Sequence, residues 1–420
     1  MPGLAAIWTA LQSAVLENFG PASAYGAPAL CGALAFSALY YAGRRQARGR
    51  RVSARGFLRS IFPRRVLLHP SSLIDMRLWA LNGVVFASAY GMLGLGLFFW
   101  RDAVVARLTH EFGPHAPAPL PAWIILTLAT VLQLLAYELA YWFAHYGFHK
   151  VPALWEFHKV HHSAEVMTTF TELRQHPVEV VVFMNLIGFA TGIVFGVMTY
   201  AFGPGVRPFT LLNGNILTMV FLLTYGHLRH SNMWIAFTGV AGRILQSPAH
   251  HQLHHSADPA HFDRNLGFAL ALWDWAFGTL AIPARTREPI VFGVGGEAAP
   301  FRSALAAFVV PCGRFAGHVL SLSFKGSQAR AAPRAPPKRR PDCRFPSVTN
   351  LPILLSTPSI RRHPCRAKSP RAGAACCWFS SPRSYGAWRA CSPASSPIST
   401  SGRCWAGARC SGRCRSPSSA

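Results

Sequence analysis

Residues 122–150 read AWIILTLATVLQLLAYELAYWFAHYGFHK. Before Lys150 this stretch carries a single charged side chain, Glu138, and it exceeds the roughly 20 residues that a helix needs to cross a bilayer. Its end holds His145 and His149, which on a helix lie on one face, one turn apart. The stretch therefore predicts a membrane-spanning helix over residues 122–146 that leads into two candidate metal ligands.

Other apolar stretches recur along the 420-residue chain. Further spans are predicted at residues 27–43, 79–100, 178–202 and 209–225, and a shorter stretch, 267–282, is expected to be interfacial or re-entrant. Charged residues make up 13% of the chain, against about 25% in soluble proteins, which indicates lipid as the main solvent. This composition excludes a fully disordered chain and predicts an all-α integral membrane protein with about four to five transmembrane helices.

The formal net charge of +26 is unevenly distributed. Residues 1–300 contain 21 Lys and Arg against 14 Asp and Glu, a net charge of +7, whereas residues 301–420 contain 20 against one acid, a net charge of +19. Charge alone would favour a nucleic-acid binder, but its concentration near the end removes that argument, and no nucleic-acid partner is expected. We predict an N-terminal span with a basic loop (1–60), a membrane catalytic domain (61–300) and a basic tail rich in Ser, Pro, Arg and Cys (301–420).

Three interpretations of the tail stay open: a disordered extension, a frameshifted or misassigned end, and a basic arm for anionic lipid or nucleic acid. Nine of the ten cysteines lie in it, without a Cys-x-x-Cys pair, which disfavours a zinc ribbon.

The predicted membrane topology depends on another basic segment. Residues 44–65 contain nine arginines, and the positive-inside rule makes this loop cytoplasmic. Residues 145–177 and 227–266 are then also expected on the cytoplasmic face, as a helical cap.

Histidines concentrate in that predicted cap. Twelve of the 18 histidines lie between residues 145 and 255, and the spacing His-x-x-His-His occurs twice, at residues 158–162 and 251–255. Neutral imidazole is a common ligand of iron, zinc and copper. One metal takes about four to six ligands, so this many histidines predicts a site for two metals. The candidate ligands are His145, His149, His158, His161, His162, His230, His251, His254 and His255, with His227 and His250 as weaker candidates.

These motifs resemble the fatty acid hydroxylase/sterol desaturase superfamily of histidine-rich membrane oxygenases. The matching elements are Tyr141-Trp142 with His145 and His149, Leu154-Trp155-x-Phe157-His158-x-x-His161-His162-Ser163, Arg174-x-His176-Pro177-x-Glu179, His230-Ser231-Asn232, His251-x-x-His254-His255-Ser256, Asn265-x-Gly267 and Trp273-Asp274-x-x-Phe277-Gly278-Thr279. Two positions depart from the usual pattern: Glu138 replaces an aspartate, and Tyr146 replaces an arginine. Neither departure removes a ligand.

The resemblance implies a non-haem di-iron centre that uses O₂ to hydroxylate or desaturate an unactivated C–H bond of a lipid such as a sterol or fatty acyl chain. Zinc could occupy the same imidazoles in purified samples. The lipid is expected to arrive from the bilayer. Electrons are expected from a separate reductase or ferredoxin-like donor, because residues 1–300 contain no flavin, haem or Cys-rich module. A bacterial inner membrane is the expected location, with the active site facing the cytoplasm.

Several other side chains are expected to support the site. Glu138 and Asp274, with Asp263, are candidates to accept hydrogen bonds from ligand imidazoles, and Glu138 alternatively has a structural role. His176 is a further ligand, lines the substrate path, or belongs to a structural network with Arg174 and Glu179. The aromatic residues Tyr141, Trp142, Trp155 and Trp273 are expected in an interfacial belt or along the substrate route. The alternative function is a catalytically silent, histidine-rich membrane metal-binding protein. A metal transporter is disfavoured because the histidines collect on one face.

Overall fold

The computed structural model describes residue 20, residues 26–85 and residues 95–331. All of these belong to the first of two units into which the chain divides, Met1–Pro336. Residues 86–94, which lie within the predicted second span, and the tail beyond residue 331 are outside the described residues. The described residues are mostly helical, so the predicted all-α class is confirmed.

The α-helices of the described ranges are α1 (Ala27–Gln46), α2 (Ala54–Ile61), α3 (Arg64–Leu67), α4 (Pro70–Val85), α5 (Leu97–Phe112), α6 (Ala122–Lys150), α7 (Pro152–His162), α8 (Pro177–Phe202), α9 (Ile216–Thr224), α10 (Gly239–Ile244), α11 (Pro248–His254), α12 (Leu272–Phe277) and α13 (Ala304–Ala331). Short 3-10 helices occur at Thr169–Leu173, Gly226–Leu228, Pro259–His261 and Gly295–Arg302. Two strands, β1 (Thr210–Leu211) and β2 (Gly214–Asn215), form an antiparallel hairpin.

Three helices in these ranges are long and apolar enough to cross a membrane: α6, α8 and the Ala304–Ser321 part of α13. The first two coincide with the predicted spans at residues 122–146 and 178–202. Helix α1 coincides with the predicted stretch at 27–43 but is not one of these three. The protein is therefore an integral membrane protein, as the composition predicts.

Two predicted spans differ from the structure. The stretch 79–100 is not one helix, because Gly96 has an extended backbone (φ −67°, ψ 166°) and caps the start of α5. The stretch 209–225 contains the β1–β2 hairpin and only nine helical residues, α9. The two turn residues, Leu212 and Asn213, have positive φ angles of 48° and 61°, as a tight hairpin turn requires. The hairpin interrupts this apolar stretch. Asn215 also donates to the carbonyl of Thr130, within α6, so the hairpin meets α6 partway along its length.

Proline and glycine determine where the two long spans begin and end. Helix α6 follows Pro121 and ends before Val151, whose extended backbone precedes Pro152. Helix α8 begins with Pro177 at its first position, where the missing N–H costs no helical hydrogen bond. It ends at Gly203, whose φ of +89° terminates the helix. The end of α6, which carries His145 and His149, and the start of α8, which follows α7, are thereby held at defined positions.

Helix α8 packs tightly against α5 through glycines spaced four residues apart. A Cβ added at Gly192 would lie 2.4 Å from the Cβ of Trp100, and one at Gly196 would lie 2.6 Å from the Cβ of Val104. Only a residue without a side chain permits this distance, as is common where membrane helices pack together. The close packing keeps α8 rigid beside the histidine-bearing helices.

Helix α13 lies in the segment that the sequence assigned to the tail. Its first 18 residues are apolar, and it packs on α7, with the rings of Phe157 and Phe315 5.2 Å apart. The structured part of the chain thus extends past the expected boundary at residue 300, to residue 331 of the described residues. The average composition of residues 301–420 concealed this short apolar segment.

Candidate metal centre

Five histidines from three helices form a first group. The last turns of α6 supply His145 and His149, α7 supplies His158 and His162, and α11 supplies His254. One ligand nitrogen from each lies within 4.8 Å of the others. Four of the five are buried. This group has the ligand type and the spacing of a metal site.

Four further histidines, all buried, form a second group: His161, His230, His251 and His255. The Nε2 atom of His230 lies 2.8 Å from Nε2 of His251, 3.1 Å from that of His161 and 3.2 Å from that of His255. His230 follows the short 3-10 helix after α9, while the others come from α7 and α11. The nine principal candidates of the sequence analysis thus divide into two adjacent groups.

The repeated His-x-x-His-His motif contributes to both groups. In α7, the first and last histidines, His158 and His162, belong to the first group, and the middle one, His161, to the second. The α11 motif is assigned the opposite way: its first and last histidines belong to the second group, and its middle one to the first. Residues four apart share a helix face, so each motif gives a pair to one group and a single ligand to the other.

Proton positions at His145 and His158 fit a bound cation. Their Nε2 atoms are 3.0 Å apart. The Nδ1 of His145 donates to the carbonyl of Leu266 at 2.8 Å, and that of His158 donates to the Glu179 carboxylate at 2.9 Å. Each neutral ring then presents a lone pair at Nε2. Two lone pairs that face each other repel, and a cation bound by both nitrogens would remove this repulsion. Two nitrogen atoms that each bind one metal at about 2.0–2.1 Å lie about 3 Å apart, which fits this separation.

Three other Nε2 atoms of the first group, in His149, His162 and His254, are buried and have no hydrogen-bond partner among the described residues. A buried polar atom without a partner is costly. A bound metal ion would give these three nitrogens the partner that the protein does not supply. Burial lowers the pKa of His230 to about 3 and, together with neighbouring imidazoles, holds the pKa of His255 well below its usual value. The rings are therefore neutral at pH 7, which is the form that binds metals.

Two carboxylates contact ligand imidazoles directly. Besides Glu179, Asp263 lies 3.3 Å from Nδ1 of His149. Such acceptors orient a ligand ring and raise its basicity. Asp263 is expected in this role from the sequence, whereas the role expected of Glu179 is a structural network with Arg174 and His176. An acid in the first turn of an apolar helix was the signal available for Glu179.

Glu138 contacts no histidine of the two groups within the described residues, so its contacts match the structural one of its two expected roles. Its carboxylate accepts hydrogen bonds from the backbone N–H groups of Phe268, Ala269 and Leu270, at 3.0–3.3 Å. It is fully buried, and these three donors compensate its loss of hydration. Glu138 therefore fixes the backbone of the loop that follows Leu266, one step removed from the ligand His145.

Asp274 holds the same loop from the other side. It accepts from the backbone N–H groups of Leu266 and Gly267, both at 2.8 Å, and from the side chain of Gln246 at 2.6 Å. The Trp142 indole donates to it at 3.2 Å. Like Glu138, Asp274 is linked to the candidate ligand His145 through the Leu266 backbone within the described residues. Sequence could indicate that both acids matter, but not that a backbone carbonyl would transmit their effect.

The three remaining candidate histidines of the sequence analysis lie outside both groups. His176 caps α8: its Nδ1 accepts from Val178, and its Nε2 donates to the Phe308 carbonyl at 2.9 Å. The other two are His227, whose Nδ1 lies 3.6 Å from the Glu172 carboxylate, and His250, whose two nitrogens contact Ser247 and Gly242. The structure gives these three histidines positions different from those of the two groups.

A buried ion pair that the sequence analysis did not single out lies close to the second group. Arg229, next to His230 in the chain, donates to Glu172 at 2.7 Å, and its guanidinium lies over the Phe268 ring at 4.3 Å. The charge of Arg229 and the nearby His227 hold the pKa of Glu172 far below its usual value despite burial. Distance along the sequence, 57 residues, concealed this pair.

A cavity of about 520 Å³ opens onto the histidines. Its floor includes three ligands of the first group, His149, His162 and His254, but only His255 of the second. Apolar walls come from Trp155, Phe262 and Val294, and Asp263 and Glu297 also line it. Trp155 thus lines the cavity beside the histidines. A place along the substrate route is one of the two roles expected of it.

The fold and these residues define a helical membrane protein with a histidine-rich metal centre. The fatty acid hydroxylase family model matches residues 130–279, which contain all nine histidines of the two groups. This match and the relatives below support the resemblance to the fatty acid hydroxylase superfamily that the motifs predict. No solved structure shows a significant match.

Among curated relatives, alkylglycerol monooxygenase from Danio rerio is 29% identical over 163 residues, which are 39% of this chain and 32% of that protein. The human alkylglycerol monooxygenase is 28% identical over 154 residues, 37% of this chain and 30% of that protein. Ornithine lipid hydroxylase from Rhizobium tropici is 29% identical over 226 residues, 54% of this chain and 61% of that protein. The match therefore spans about a third of the length of the first two relatives.

Proposed function

We propose that this protein is a membrane-bound lipid hydroxylase in which each histidine group holds one iron ion. The observation that carries the proposal is the pair of adjacent histidine groups, five and four residues strong, inside a fatty acid hydroxylase domain. The names of the relatives, alkylglycerol monooxygenase and ornithine lipid hydroxylase, support a lipid substrate. A sterol or fatty acyl chain is proposed as the substrate class, with desaturation as the related outcome.

Bound iron would supply the activation of O₂ and the cleavage of an unactivated C–H bond. The protein contributes position and environment. The apolar walls of the cavity, Trp155, Phe262 and Val294, would hold an alkyl chain against the first histidine group and displace water from it. Glu179 and Asp263 keep the rings of His158 and His149 turned toward the centre. Small displacements of such groups are costly to catalysis.

We also propose that the two electrons of the reaction come from a separate reductase or ferredoxin-like protein. The location proposed is a bacterial inner membrane with the site on the cytoplasmic face, which follows from the nine arginines in residues 44–65. Labelling of cysteines introduced at Arg50 and at Phe112, using a membrane-impermeant reagent on intact cells, tests this orientation. Reaction at position 50 from outside would contradict it.

The test of function is lipid mass spectrometry of cells with and without the gene, combined with reductant-dependent O₂ consumption by membranes that contain the protein. We expect a hydroxylated lipid that disappears in the variants His158→Ala and His254→Ala. The matched control is His110→Ala, because His110 is exposed and contacts Glu111 instead of the site. A wild-type protein that binds metal yet consumes no O₂ would instead support a catalytically silent metal-binding protein.

A further inference from the structure

The two histidine groups use the same ligand type but differ in what supports their rings. We infer that the two metal positions are inequivalent, and that the first group binds its ion more tightly and fills before the second. This inference rests on the metal centre of the proposed function and is independent of hydroxylation. Four observations carry it: carboxylate contacts, carbonyl contacts, the nearby buried cation and the direction of access.

Carboxylates contact only the first group among the hydrogen bonds of the described residues. Glu179 accepts from Nδ1 of His158 at 2.9 Å, and Asp263 lies 3.3 Å from Nδ1 of His149. Both carboxylates increase electron density on a ligand ring and add negative charge close to the metal position. Each effect favours a bound dication.

Backbone carbonyls hold two further rings of the first group. Nδ1 of His145 donates to Leu266, and Nδ1 of His254 donates to Arg264, each at 2.8 Å. Four of the five first-group rings are thus fixed by an acceptor before any metal binds. A ligand set already held in position loses less conformational entropy on binding.

The second group has weaker support. Its one observed Nδ1 acceptor within the described part of the chain is the Arg174 carbonyl, 3.3 Å from His161. The Nδ1 atoms of His230 and His255 are buried and have no partner among the described residues. These two rings gain neither orientation nor basicity from an acceptor, so their Nε2 atoms are poorer ligands than those of the first group.

A buried cation adds to the difference. Arg229 directly precedes His230 in the chain, after the 3-10 helix Gly226–Leu228, and is almost fully buried. Its positive charge, next to His230 in the chain, opposes the binding of a dication by the second group. The Glu172 partner offsets part of this effect at 2.7 Å. Beside the first group, Lys150 pairs with Asp263, but its side chain is partly exposed, so solvent screens its charge.

Access favours the same order. The 520 Å³ cavity borders three ligands of the first group and one of the second. The first group also offers five nitrogens instead of four. An ion that enters through the cavity therefore meets the larger and better supported ligand set first.

The experiment is an equilibrium titration of metal-free, full-length protein in nanodiscs with Zn²⁺, in competition with a chromophoric chelator. Zinc is suitable because it binds imidazole and has no redox chemistry. We expect two binding steps of different affinity in the wild-type protein. His251→Ala should keep the tight step and lose the weak one, whereas His158→Ala should keep only the weak step.

A gentler pair of variants guards against misfolding. Glu179→Gln preserves shape but removes the negative charge beside His158, and should weaken the tight step by about 10- to 100-fold while leaving the weak step unchanged. The matched control is Glu165→Gln, whose carboxylate pairs with Arg302; it should change neither step. Two equal affinities, or a weakened weak step in Glu179→Gln, would overturn the inequivalence. Absence of zinc binding at both groups would instead contradict the metal centre itself.

Discussion

Helices α7 and α11 carry the same His-x-x-His-His motif but serve the two metal positions in opposite ways. The outer pair of α7, His158 and His162, belongs to the first group, whereas the outer pair of α11, His251 and His255, belongs to the second. The middle histidine of each motif crosses to the other group. Helical periodicity thus dictates that residues four apart stay together, while the packing of the two helices decides which group receives them.

The two motifs also differ in what holds them. The α11 motif follows a helix start capped by Ser247, which accepts from the backbone N–H of His250. The α7 start has no side-chain cap, and α7 is instead covered by α13, through contacts such as Phe157 with Phe315. Local hydrogen bonding therefore stabilises one motif, and tertiary packing the other.

Removal of an outer pair should have the largest effect. His158→Ala with His162→Ala removes two of the five first-group ligands, and His251→Ala with His255→Ala removes two of the four second-group ligands. Each double variant should bind about one metal ion per chain instead of about two, and lose lipid hydroxylation by more than about 100-fold. Metal analysis and product assays measure both. A double variant that retains both ions would contradict the assignment.

Substitution of a middle histidine should have a smaller effect, on the group opposite to the one that its helix mainly serves. His161→Ala is expected to weaken the second group, and His254→Ala the first, because each removes one ligand. We expect at least about a 10-fold loss of zinc affinity at the affected position. Titration of each variant in a background that lacks the other group resolves the two. Loss of zinc affinity at the same group in both variants would contradict the assignment of each middle histidine to the opposite group.

His250 provides a sharper distinction, because it adjoins His251 in the α11 motif. Its ring contacts the Ser247 hydroxyl at 2.7 Å and the Gly242 carbonyl at 3.0 Å. His250→Ala should leave the metal content unchanged and lower the free energy of unfolding by about 1–3 kcal/mol, since buried polar partners lose a hydrogen bond. Thermal unfolding and metal analysis of the same sample test this. Loss of an ion would make His250 a ligand.

The helix cap should give the smallest change. Ser247→Ala removes the cap of α11 and should cost about 1 kcal/mol of stability, with a modest loss of affinity at the second group. Ser53→Ala is the matched control, because Ser53 caps α2 by accepting from Gly56 at 3.1 Å, in a helix without metal ligands. Equal effects of both variants on zinc affinity would show that the α11 cap has no special importance for the centre.

Much of the site could be predicted because its signals are local. An apolar stretch ending in His145 and His149, and two copies of one histidine motif, identify spans and ligands through helical geometry alone. Predictions failed where turns or distant contacts decide. The Leu212-Asn213 turn shortens a predicted span to α9. The backbone N–H groups that Glu138 contacts lie some 130 residues away along the chain, where no local pattern indicates them.

The sequence by itself determined that this is a helical membrane protein with a region similar to fatty acid hydroxylases and nine candidate ligands, because length, hydropathy and spacing are properties of single segments. The tertiary structure alone decided how those ligands divide into two groups. It also decided that His176, His227 and His250 lie apart, and that Glu179 and the Leu266 carbonyl orient the rings. The physical reason is that these contacts join segments whose approach depends on packing, which no local pattern encodes.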